Sequence, residues 1–134
     1  MTSASFYDRK TVPGWKHALI DRPLPAELRR EVSAALTSRL KQPELNDVLL
    51  VLTELVTNSY CHTDTPIDAE VTITDVGVLV EVSDGNTADL RLRRQPTPLR
   101  HGRGLALVSA IAEDWGVESI QDGKRVWALL PRAA

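Results

Sequence analysis

The sequence predicts an α+β fold, a two-layer α/β sandwich in which a mixed sheet is covered on one face by three helices. Three observations carry this expectation. Apolar residues recur at helical spacing in three stretches, they alternate with period two in the stretches between, and turn residues punctuate the order. With 134 residues, the chain has room for one domain around one core.

The elements follow in order. Residues 1–14 are polar and end in Pro13-Gly14, so they read as a flexible segment ahead of a single domain spanning 15–134. Trp15 to Ile20 reads as a short strand. Pro23 and Pro25 then break the chain before a helix from Ala26 to about Lys41, where Leu28, Val32, Ala35, Leu36 and Leu40 share a face. Pro43 sits where a helix start tolerates it, and a second helix is expected from Glu44 to Cys61, with Val48, Leu52, Leu55, Val56 and Ser59 on its apolar side. The period changes to two in Glu70 to Asp75 and again in Val78 to Asp84, with Val76-Gly77 between, which predicts an antiparallel hairpin. Residues 85–101 read as a loop with Pro96, Pro98 and several basic side chains. Gly102 to Glu113 returns to helical spacing through Leu105, Val108 and Ile111. Trp115 to Ile120 and Arg125 to Leu130 are the last strands, turned at Asp122-Gly123.

Composition excludes several function classes. The formal net charge is −2, so no global basic field recruits nucleic acid. The one cysteine, Cys61, forms no internal disulfide, in keeping with a reducing cytoplasm. No apolar run approaches the roughly 20 residues that span a bilayer. The first residues lack the basic start and apolar core of a secretion signal. A cytoplasmic protein with no membrane partner is the expectation.

Chemistry concentrates in three places. Glu54 and Asn58 lie one helical turn apart, on a face beside the apolar stripe. A carboxylate and an amide so placed can take a proton and help hold a hydrated Mg²⁺, or form an ordinary polar helix edge. Asp84 shares strand parity with Val78, Val80 and Val82, the face the helices should cover. An inward carboxylate at a strand end needs a donor. An exocyclic amine such as adenine N6 would supply one, and Gly85 would let a flat ligand approach the backbone; the alternative is an Asp-Gly turn capping nearby amides. Third, His101-Gly102-Arg103-Gly104-Leu105 opens an amphipathic helix, whose first amides form a seat for anions. Arg103 adds charge there, as do Arg91, Arg93, Arg94 and Arg100 in the loop, which reads equally as a solvated segment or a protein-docking surface.

Together, Glu54-Leu55-Val56-Thr57-Asn58-Ser59, Val82-Ser83-Asp84-Gly85 and Gly102-Arg103-Gly104-Leu105-Ala106-Leu107-Val108 resemble the N, G1 and G2 boxes of the GHKL (Bergerat-fold) ATPases. The resemblance is closest to the bacterial anti-sigma-factor serine/threonine kinases, in particular the short ATP-binding regulators of actinomycetes. It extends through His62, Trp115-Gly116-Val117 and Gly123-Lys124-Arg125-Val126-Trp127, and covers roughly residues 20–131. It implies that Asn58 ligates Mg²⁺, that Glu54 is the general base for an incoming serine hydroxyl, and that Asp84, with Gly85, binds adenine. It further implies that Gly102, Arg103, Gly104 and Leu105 line the phosphates and that residues 87–101 form a lid over ATP. The implied partners are a small STAS-type anti-anti-sigma protein and a sigma factor, and homodimers are usual in kinases of this type. The sequence departs from the fuller Asp-x-Gly-x-Gly pattern, because Gly85-Asn86-Thr87-Ala88 follows Asp84.

Two functions remain open at this point. One is a Mg-ATP-dependent protein serine/threonine kinase that switches a transcription partner, favoured by the presence of both Glu54 and Asn58. The other is a nucleotide-binding anti-sigma or adaptor protein that acts by sequestration, favoured by the contracted segment after Asp84.

Overall fold

In the computed structural model, which describes residues 11–86 and 102–132, eight elements follow the predicted order. They are β1 (Thr11–Ala18), α1 (Pro25–Leu36), α2 (Gln42–His62), β2 (Pro66–Thr74), β3 (Val78–Asp84), α3 (Gly102–Ile111), β4 (Asp114–Ile120) and β5 (Gly123–Leu130). The five strands form one sheet in the order β1-β2-β3-β5-β4. Every pairing is antiparallel, so the mixed sheet expected from the sequence is corrected to an antiparallel one. The α+β class and the helix-on-sheet layering stand.

Local chemistry explains the boundaries. Pro25 opens α1 and Pro43 lies in the first turn of α2, positions whose amides have no intrahelical acceptor. At the start of α2 the backbone N–H of Lys41 donates to Glu44 Oε1 at 2.8 Å, which satisfies one such amide. The α1 helix stops at Leu36, short of the expected Lys41, and Thr37 caps it through its N–H to Ser33 O. Between β2 and β3, Thr74 Oγ1 accepts from the backbone N–H groups of Val76 and Gly77 at 3.1 and 3.0 Å and so closes the hairpin.

Strand β1 starts at Thr11, ahead of the expected Trp15. Residues 11–14 are therefore strand and not part of a flexible segment, while residues 1–10 lie outside the described ones. Pro13 and Gly14 suggested a break, but β1 is an edge strand, where a missing N–H costs no ladder bond. Gly14 sits at a register shift between Pro13 and Trp15, where a Cβ would press against Val71 O and Leu36 Cδ2. Strand β2 likewise begins at Pro66, four residues before the alternating run, because Pro66 pairs with Asp84 and not with a solvent edge.

The core lies between helices and sheet. Leu28, Val32 and Leu36 of α1 and Val48, Leu52, Leu55 and Val56 of α2 pack with Val71, Val78, Val80, Val82, Ala128 and Leu130. Burying each such side chain contributes about 1.5–3 kcal/mol. On the opposite face Leu79, Trp127 and Leu129 form a smaller cluster, so the central strand β3 is buried on both sides. Arg125 lies on that opposite face, 3.6 Å from Glu81 and 3.4 Å from Glu118. Burial raises the pKa of Glu70, and its cross-strand partner Glu81 raises it further.

Candidate functional site

The end of β3 positions a buried polar group from the second of the predicted stretches. Asp84 is 2% exposed and continues the strand that carries Val78, Val80 and Val82 into the helix-covered core. The inward parity expected from the sequence is what the fold contains. One carboxylate oxygen, Oδ1, accepts from the backbone N–H of Asn86 at 2.8 Å. Gly85 donates its N–H to Thr65 O at 2.8 Å, and a Cβ there would collide with the Thr65 side chain. Gly123, the first residue of β5, is pressed on the same spot: a Cβ on it would lie 2.7 Å from Gly85 Cα. Two glycines are thus needed for the backbone to turn beside Asp84.

The α2 helix passes over this strand end and packs on β3. Its buried side carries Leu52, Leu55, Val56 and Ser59. Ser59 follows Asn58 directly, is 4% exposed, and its hydroxyl has no hydrogen-bond partner, not even the carbonyl one turn back. Such a group is costly unless a ligand or water satisfies it. Glu54 and Asn58 are half-buried at the margin of the same helix, one turn apart, as the spacing predicts. The helix and the strand end are tied directly: Asn86 Nδ2 donates to His62 O at 2.8 Å. Beyond the helix, Thr63 Oγ1 accepts from the Thr65 N–H at 3.0 Å, which fixes the short link into β2.

The helix α3 begins at Gly102, so the amides of Gly102, Arg103, Gly104 and Leu105 make its first turn, where no intrahelical acceptor exists. It packs on α2. The side chains of Arg103 and Leu105 lie outside the described residues, as does the segment 87–101 expected to form a lid.

Three contributors were not singled out from the sequence. Asn86 and Thr65 hold the strand end, through Asp84 Oδ1 and the Gly85 N–H, and Ser59 is the buried hydroxyl without a partner on α2. The signal available for Asn86 was its place two residues after Asp84, the spacing of an Asx turn. Nothing local marks Thr65, whose role comes from strand pairing across the sheet.

The strand end carries a buried carboxylate, the space beside Gly85 and Gly123 is taken up by Thr65 and by the Asp84–Gly85 backbone, and the facing helix carries a buried hydroxyl without a partner. Among the described residues no three His, Cys, Asp or Glu side chains group closely enough to hold a metal ion. A magnesium ion beside Asn58 would therefore draw most of its ligands from phosphate oxygens and water, as that ion commonly does. No helix among the described residues is long and apolar enough to cross a membrane.

Among curated proteins none matches the chain. The sequence profile of histidine kinase-like ATPase domains matches residues 22–130, a span that holds α1 through β5 and every predicted site residue. Binding of ATP is what an ATPase domain implies, and the five-stranded sheet under three helices agrees with it. By that match, which covers most of its length, the chain belongs to the family of histidine kinase-like ATPase domains.

Proposed function

We propose that the protein is a Mg-ATP-dependent serine/threonine protein kinase that phosphorylates a STAS-type anti-anti-sigma partner and so regulates a sigma factor. The observation that supports this most is the meeting of the buried Asp84 with the last turns of α2, through Asn86 and His62 O. In this reading Asp84 accepts the hydrogen bond of an adenine amine and Gly85 lets the base approach. The amides of Gly102 to Leu105, with Arg103, hold the phosphates, while Asn58 contributes an oxygen to Mg²⁺. Glu54 takes the proton of the incoming serine hydroxyl. Phosphoryl transfer asks little more of a protein than such positioning and charge neutralisation.

Incubation with Mg²⁺, labelled ATP and candidate STAS proteins should place label on a serine, and Glu54→Ala should abolish it. Calorimetric titration with ATP should show binding that Asp84→Ala removes. A wild-type protein that binds no adenine nucleotide refutes the proposal.

A second reading, a nucleotide-binding adaptor acting by sequestration of its partner, has one observation in its favour. The residues after Asp84 are contracted, and Asn86 is engaged in bonding His62 O. Binding of ATP with no partner ever labelled would decide for it. Identification of proteins that copurify with the native chain, and its mass in solution, tests the partner and homodimer expectations. Cell fractionation tests the cytoplasmic one.

A further inference from the structure

Among the described residues Arg22 is the one non-glycine residue with positive φ, at 50°. Side chains rarely adopt that backbone, and it persists only where the surroundings impose it. Arg22 lies in the β1–α1 connection, where its N–H donates to Leu19 O at 2.9 Å. From there the guanidinium reaches the end of α2: Nη1 donates to Tyr60 O at 3.1 Å and Nη2 to Thr63 O at 2.6 Å. It also lies over the Tyr60 ring, 5.2 Å from the centroid, and Tyr60 Oη donates back to Pro23 O at 2.7 Å.

A helix end can be satisfied by water or by a local glycine, neither of which needs a strained arginine from another part of the chain. What the arginine adds is a fixed position. The last turn of α2 is gripped from two sides, by Arg22 on Tyr60 O and Thr63 O and by Asn86 Nδ2 on His62 O. Asn86 in turn donates its backbone N–H to Asp84 Oδ1. Hydrogen bonds joined by the backbone of residues 60–63 and of Asn86 therefore link the strained arginine, through the helix end, to the buried carboxylate.

We propose that Arg22 is a positioning residue for the purine end of the site, and that it sets the preference for adenine by holding the last turn of α2 against Asp84. This rests on the reading that Asp84 accepts from an adenine amine. The guanine ring carries an oxygen at the corresponding position, so the effect is selective for one purine.

The test compares ATP and GTP titrations of the wild type, Arg22→Gly and Arg22→Lys, well below their melting temperatures. Glycine is at home at this φ, so Arg22→Gly removes the guanidinium without straining the backbone. The expected result is an ATP affinity about tenfold weaker, the worth of one charge-assisted hydrogen bond, with GTP binding altered less than about twofold. Arg22→Lys, which can engage one carbonyl in place of two, should fall between. Equal losses for ATP and GTP would make Arg22 a helix cap and nothing more, and unchanged selectivity would overturn the proposal outright. If the glycine variant does not fold, the lysine variant decides on the same criterion. A wild type that binds no ATP sinks the nucleotide reading and this inference with it, whereas a selective wild type with equally selective variants sinks only the role of Arg22.

Discussion

Replacing Gly123 by alanine should injure the fold and the site at once, because the new methyl group has no free space. A Cβ at that position would lie 2.7 Å from Gly85 Cα and 2.8 Å from the Asp84 carbonyl carbon, both backbone atoms that cannot swing aside. Carbon atoms pack at about 3.5 Å or more, and the closest clash is with the Asp84 carbonyl oxygen itself, so the β3 end and the start of β5 must part by about 1 Å or more. Overpacking of this kind costs roughly 1–3 kcal/mol, on the order of 4–10 °C in Tm for a domain of this size. The same displacement moves Asp84, whose hydrogen bond to a ligand would stretch from about 2.9 Å to beyond the roughly 3.5 Å at which such a bond fails. Loss of a hydrogen bond to a charged group corresponds to about a 10- to 100-fold weaker ATP affinity. Thermal melting and calorimetric ATP titration of Gly123→Ala measure the two effects separately. A variant that melts and binds ATP like the wild type would refute the idea that the β5 start and the Asp84 turn are in mutual contact.

Further outcomes are expected at other positions. Glu54→Gln should retain ATP binding while transfer to a partner serine falls by about 10²- to 10⁴-fold, measured with labelled ATP. Asn86→Ala should weaken ATP binding several-fold with little change in melting, since the bond it removes, to His62 O, lies near the surface. Glu70→Gln should raise Tm at neutral pH by roughly 1–4 °C, because like charges directly opposite across strands cost about 0.2–1 kcal/mol and Glu70 pairs with Glu81. Burial and Glu81 raise the Glu70 pKa, so the folded state holds that proton more tightly than the unfolded chain does. The stability gained from the protonated form is complete below the ordinary carboxylate range and lost as pH climbs through the raised value. The advantage of Glu70→Gln should accordingly shrink when melting is repeated at progressively lower pH, and an advantage that stays constant would place its origin elsewhere.

Much of the fold was legible because apolar period and burial coincide. The α2 stripe through Val48, Leu52, Leu55 and Val56 is the buried face, and Val78-Val80-Val82 fixes which way Asp84 points. Pairing direction was not legible, since period two is the same in parallel and antiparallel strands. The early start of β1 was hidden by Pro13, which reads as a break until the sheet supplies an edge. The placement of Glu54 and Asn58 one turn apart, and of Asp84 on the covered face, could be read from helical spacing and strand parity. Arg22 could not, because its acceptors are 38 and 41 residues away in sequence and its backbone conformation belongs to glycine.

The sheet order places the last strand, β5, between β3 and β4 and not at an edge. During synthesis β3 therefore presents an open hydrogen-bonding edge until some forty further residues have emerged, and Asp84 waits without the Gly123 backbone beside it. Closure of the sheet comes with insertion of β5 as a wedge between its neighbours. Grip on a nucleotide should then arise only once β5 has emerged and paired, and a nascent chain arrested before β5 would be both exposed to mispairing and blind to ATP.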